Sequence, residues 1–199
     1  MTEKTRLTNE ERSLLTQKEF FILKKAVMHK LMELLGLLNE ELKKYNAEYH
    51  SLLPDEIFNK SGKISKGENY LGFPWLVLDH PRIFKKEDVF AFRSMCWWGN
   101  EISFTLHLSG KYKSMLSSPE TRLNNLTGKG YFININHTPW EYHFKENNYL
   151  SLEKVMQSDF NVHQHPFLKI SRKISIDAAE DLVSEGSKTY AELIKTLFI

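Results

Sequence analysis

A single cysteine, Cys96, rules out an internal disulfide, so nothing in this chain asks for an oxidising compartment and a cytoplasmic setting is the simplest expectation. No stretch approaches the ~18 uninterrupted apolar residues of a membrane span. The opening MTEKTRLTNEERSLL is charged where a signal peptide needs an apolar run, so we expect a chain that is neither exported nor inserted, with no membrane partner. An excess of one charge is also missing. The 27 basic and 25 acidic side chains interleave to a formal +2 without a basic patch or stripe, so no nucleic-acid partner is expected. No G-x-S-x-G elbow occurs, and the absence of a G-x-G-x-x-G turn or P-loop leaves dinucleotide and nucleotide-triphosphate readings without support.

What is present describes one globular domain. The 199 residues, 41% hydrophobic and 13% aromatic, can bury a sizeable core and build a sheet. Residues 1–15 are polar and read as a flexible segment, with Thr8 and Glu11 at capping-box spacing, and residues 16–199 read as a single α+β domain. Thr16 and Glu19 repeat the capping spacing. Phe20, Leu23, Val27, Leu31, Leu34, Leu38, Leu42, Tyr45 and Tyr49 then follow at helical steps, predicting one helix from about Lys18 to His50. A second apolar row, Phe21, Met28, Met32, Leu35 and Leu37, widens its buried face beyond what one sheet needs.

The remaining pattern is strands separated by turns. Residues 59–69, NKSGKISKGEN, have loop composition; Phe73–Leu78 reads as a central strand ended by Asp79, His80, Pro81 and Arg82. A hairpin, Asp88–Trp98 and Glu101–Ser109, closes on a two-residue Gly99–Asn100 turn. That register sets Trp97 opposite Ile102, Met95 opposite Phe104, Arg93 opposite Leu106 and Phe92 opposite His107. Val89, Ala91, Arg93, Met95 and Trp97 then share the core face, while Phe90, Phe92, Cys96 and Trp98 lie with Ser103, Thr105 and His107 on the other. Ser118–Leu126 predicts a short helix, Tyr131–Asn136 and Trp140–Lys145 two strands, and Ser151–Gln157 another short helix. Leu168–Ile176 alternates with Lys169, Ser171 and Lys173 as a cationic edge strand would, and a last helix runs from Asp177 through Gly186, a point of close approach. The expected fold is an antiparallel sheet of about six strands with the long N-terminal and C-terminal helices packed on one face.

Three functions fit these residues. The first is a non-catalytic small-ligand or regulatory domain with a pocket between sheet and helices, lined by Trp75, Phe92, Trp98 and His107, with Arg82 or Arg93 available for an anionic group. Its motive is a sheet face that is too aromatic for water and too hydroxylated for core. The second is a metal-dependent enzyme using His163 and His165, whose H-x-H spacing points two imidazoles to one side of an extended backbone; a third ligand would have to come from elsewhere. The third is a homodimeric interaction protein assembled through residues 18–50.

Overall fold

Helical spacing of apolar residues draws a long helix, α2 (Lys18–Glu48), onto the body of the protein, as the periodicity predicts. The computed structural model describes residues 5–199, so residues 1–4 of the expected flexible segment lie outside the described residues. Ahead of α2, a short helix α1 (Asn9–Thr16) opens on the predicted capping box: the Thr8 hydroxyl accepts from the Glu11 N–H at 3.1 Å, and the Glu11 carboxylate from the Thr8 N–H at 2.7 Å. None of its residues is buried. Thr16 does not cap α2; its hydroxyl donates to the Ser13 carbonyl, and Gln17 occupies the N-cap without a side-chain bond.

The sheet has seven antiparallel strands, one more than expected: β1 (Lys63–Tyr70), β2 (Phe73–Phe84), β3 (Val89–Trp97), β4 (Glu101–Ser109), β5 (Tyr131–Asn134), β6 (Tyr149–Ser151) and β7 (Phe167–Ser175). Their spatial order is β1-β2-β3-β4-β7-β5-β6. Short helices α3 (Gly110–Ser114), α4 (Pro119–Asn124) and α5 (Leu152–Met156) join strands, and α6 (Leu182–Phe198) ends the chain after a 3-10 turn at Ile176–Asp181. One sheet face carries α2 and α6. Leu35, Leu38 and Leu42 meet Tyr190, Leu193 and Ile194 over Phe92, Phe104 and Leu106, all of them solvent-free. Each such side chain contributes roughly 1.5–3 kcal/mol of apolar transfer. Among the described residues, no helix is long and apolar enough to cross a membrane.

Several expectations are corrected. First, Trp98, Gly99 and Asn100 form a three-residue turn, with Gly99 at φ +70° and the Asn100 N–H bonded to the Trp97 carbonyl at 3.1 Å. The extra residue shifts the register so that Phe92 faces Leu106 and Arg93 faces Thr105. Side chains alternate with period two, so this shift exchanges the faces of β3. Phe90, Phe92 and Cys96 enter the helix-covered core, while Arg93, Met95 and Trp97 turn to the opposite face. Second, the 59–69 loop yields β1, a polar edge strand held by backbone pairing to β2, where Gly67 leaves room for the Trp75 ring against its Cα. Third, β7 is not an edge: it lies between β4 and β5, and its Lys169 is 1% exposed. Fourth, the strand predicted at Trp140–Lys145 is an irregular strap, and β2 runs on through the expected terminator, Asp79 to Arg82, to Phe84.

Gly186 is the close-approach point the pattern predicts: a Cβ there would stand 2.8 Å from Leu38 Cδ2 and 2.9 Å from Phe104 Cε1. Overpacking costs about 1–3 kcal/mol, against a helix-propensity gain of about 1 kcal/mol for alanine. Gly186→Ala is therefore expected to lower unfolding free energy by about 1 kcal/mol in urea titration, and a stabilised variant would show that α6 has room to back away.

Candidate functional site

The alternation that buries Phe92 and Phe104 under the helices projects a different set from the other face. Trp75, Val77 and Asp79 stand on β2, Arg93, Met95 and Trp97 on β3, Ser103, Thr105 and His107 on β4, and Lys169, Ser171 and Lys173 on β7. Asp79 and Arg93 are cross-strand partners. Arg93 Nε donates to Asp79 Oδ1 at 2.7 Å and Nη2 to Oδ2 at 2.8 Å, a bidentate pair whose side chains are only 22% and 10% exposed. Burial, the largest single effect, works against the guanidinium charge, but the Asp79 hydrogen bonds together with the charge interactions of Tyr142, Asp79 and Tyr149 outweigh it and raise the Arg93 pKa.

Over this pair lies the strap from Asn136 to Lys145, held by side chains of the sheet. Lys169 Nζ donates to the carbonyls of Pro139 at 2.7 Å and Glu141 at 2.6 Å, and stands 3.8 Å from the Tyr142 ring centre. Arg93 approaches that ring at 4.7 Å, so two cations flank one aromatic side chain. Tyr70 anchors the strap to the end of β1: its hydroxyl donates to Glu141 at 3.0 Å and accepts the Tyr142 N–H at 2.7 Å. Burial, then Glu141, push that phenol up to about 12. Burial and the Arg93 charge push Lys169 well below the ordinary lysine range, while the two carbonyls and the ring face receive its protons.

Where the strap ends short of β1, a cavity of about 330 Å³ opens, lined by Lys63, Trp75, Asp79, Arg82, Phe84, Arg93 and Trp140. A second, of about 230 Å³, lies past Trp75 and Arg93 toward Tyr70 and Tyr142. A third, of about 460 Å³, lies past Trp140, where His107 and Phe167 meet Lys85 and Lys86. Among the described residues Arg82 hydrogen-bonds through Nε alone, to the Ser61 carbonyl at 2.7 Å. Trp140 and Phe84, 55% and 40% exposed, form the mouth with ring centres 6.2 Å apart.

Of the residues nominated by sequence, Trp75, Arg82 and Arg93 come together here, and His107 stands one cavity away with Trp140 as the shared wall at 5.9 Å. Phe92 is fully buried in the helix-covered core, its ring 5.0 Å from Tyr190. Trp98 packs against that same core and its backbone N–H donates to the Pro74 carbonyl, so neither reaches the cleft. The pocket expected between sheet and helices is thus displaced, for these residues, to the face without helices. Sequence reasoning missed Trp140, Tyr142, Tyr70 and Lys169. The signal available was a lysine alternating with apolar residues in an interior strand.

The H-x-H pair does not form a shared ligand set. His163 turns to Glu120 at 2.9 Å, whereas both ring nitrogens of His165 face backbone carbonyls, of Phe167 at 2.9 Å and Asn136 at 3.1 Å. Among the described residues, no three His, Cys, Asp or Glu side chains converge as metal ligands. Cys96 is buried on the helix-covered face, and desolvation pushes its thiol up to about 12, which leaves it chemically quiet at neutral pH. On that side Tyr190 donates to Asn46 Oδ1 at 2.5 Å and Asn46 Nδ2 lies 3.0 Å from His80 Nε2, a relay at the bottom of a cavity of about 310 Å³ beside α2.

Two consequences can be measured. Lys169→Met keeps the bulk of the side chain but removes the donors that hold the strap. Proteolysis and amide exchange within residues 136–145 are expected to accelerate at least tenfold while the core of β3 and β4 stays protected; unchanged exchange would show that Tyr70 alone retains the strap. Burial also depresses His80 to about 4 and His107 to about 3, below the ordinary 6.5, with Lys43 and Lys169 respectively adding repulsion. The unfolded chain therefore binds more protons in that window. Stability is fully present above about pH 6.5 and is lost as pH falls toward those values. Urea midpoints should decline from pH 6.5 to 5, less steeply in His107→Phe, and an identical slope in that variant would contradict the assignment. No family model matches the chain, and comparison with curated proteins and with solved structures finds no significant match.

Proposed function

We propose that this protein binds, without transforming, a small anionic molecule that carries a planar ring, in the cleft between Trp75, Arg82, Arg93 and Trp140. The observation that carries this reading is Arg93, clamped by Asp79 and backed by Tyr142, with its Nη1 left over at the wall of an aromatic-lined cavity that Arg82 also lines. Lys63, Arg82 and Arg93 outnumber Asp79, the one carboxylate in the lining, which favours an anion. The exposed Trp140 and Phe84 offer ring faces at the mouth, and a cleft of this volume suits a metabolite-sized ligand. A guanidinium fixed in advance loses little entropy on binding.

The same inventory supports the non-catalytic reading. The cleft holds no cysteine or histidine, and its one carboxylate is committed to Arg93. His107, in the neighbouring cavity, is neutral at physiological pH.

Aromatic carboxylates and nucleoside monophosphates are the probes that match this chemistry. Titration followed by tryptophan fluorescence and calorimetry is expected to show saturable binding by at least one of them. Arg82→Ala should weaken it by roughly tenfold or more, the worth of a charge-assisted hydrogen bond, and Trp140→Ala should remove the fluorescence change. Saturable binding that Arg82→Ala leaves intact, or no response to either class, would sink this reading.

A further inference from the structure

Apolar burial uses only the latter part of α2. Its buried residues begin at Met28; ahead of them Lys24 pairs with Glu68 of β1 at 2.6 Å, while Phe20, Phe21, Ile22 and Leu23 stay exposed, Leu23 at 64%. Leu14 and Leu15 of α1 are exposed as well. Four consecutive apolar residues, Phe20 to Leu23, put apolar surface on more than one side of this turn of α2. Along one side of α2 the exposed and half-exposed residues Phe20, Leu23, Val27, Lys30, Leu34 and Leu37 recur at alternating steps of three and four. That is the seam spacing of a two-stranded coiled coil, and it runs beside the stripe Leu31, Leu35, Leu38 and Leu42 that already faces the sheet.

We propose that a second copy of this chain covers the seam, with the two α2 helices antiparallel. The occupant is read from self-complementarity. The apolar arm of one copy, Phe20 and Leu23, has its counterpart in a groove of about 470 Å³ on the same helix, where Leu34, Leu37 and Ala179 are rimmed by Lys30, Glu33 and Glu180. Antiparallel pairing of the seam sets Phe20 against Leu37, Leu23 against Leu34 and Val27 against Lys30 of the other copy. A parallel pair would stack Lys30 on Lys30 inside the seam. In the antiparallel pair each ammonium enters a groove that carries two carboxylates, Glu33 and Glu180, neither of which has an ion-pair partner among the described residues. The exposed apolar residues of α1 and this seam amount to roughly 600 Å² per chain, the lower end of what a specific interface buries per partner. The pair closes on a twofold axis near residues 28–29, so it is a dimer and not a filament.

Light scattering and sedimentation of the full chain across the micromolar range are expected to give a dimer. Leu23→Glu, at an exposed position, should convert it to a monomer with an unchanged circular dichroism spectrum. The register has its own readout. Phe20 and Leu37 lie about 25 Å apart along one helix, too far for a bond within a chain. The double variant Phe20→Cys, Leu37→Cys should therefore form a covalent dimer on mild oxidation, with buried Cys96 as a silent background. Phe20→Cys alone should not. A monomer at all concentrations, a dimer indifferent to Leu23→Glu, or cross-linking by Phe20→Cys alone would each overturn the proposal.

Discussion

The pairing of Asp79 with Arg93 is the constraint on which the rest of this structure turns. A guanidinium on a half-buried sheet face needs a carboxylate directly opposite, and the β2–β3 register supplies one at 2.7 Å. As neighbours in one strand Arg93 and Phe92 point to opposite faces, and the three-residue turn at Trp98–Asn100 matches Phe92 to Leu106 on the core side and Arg93 to Thr105 on the open side. With Arg93 fixed, Tyr142 has a cation to lie against, Lys169 has carbonyls to hold, and the strap takes its place. The cleft is what remains uncovered between the strap and β1.

The two faces of the sheet therefore solve different problems. Under α2 and α6 the side chains are aliphatic and aromatic, and Gly186 lets the helices close on Leu38 and Phe104. On the open face, cations, rings and hydroxyls satisfy one another, as Thr105 and Ser171 do at 2.7 Å. A face built this way is ordered without being sealed by a helix layer, which is the condition for a preformed binding cleft on a rigid scaffold.

Elements whose signal is internal to the segment were legible in the sequence: α2 from its apolar steps, α4 and α5 from their starts, the hairpin from its flanking apolar runs, and the close approach at Gly186. Features that depend on a neighbour were not. The hairpin turn differs by one residue from the shorter loop that local chemistry favours, and that residue inverts a face. Composition reads β1 as a loop because an edge strand is held by backbone pairing, and reads Lys169 as solvated because the carbonyls that receive it lie about thirty residues away in the chain. Trp75, Arg82 and Arg93 were nominated together and do line one cavity, yet the face of Arg93 was assigned from the wrong register, and Phe92 and Trp98 went with the error.

A double-mutant cycle on the pair itself tests the account most directly. Asp79→Ala leaves a guanidinium without its carboxylate, and Arg93→Met leaves the carboxylate alone, so each is expected to cost about 2–4 kcal/mol in urea titration. The double variant should cost distinctly less than the sum, with a coupling energy of about 1 kcal/mol or more. Strictly additive losses would mean that Asp79 and Arg93 do not sense each other, and the cleft built around them would lose its foundation.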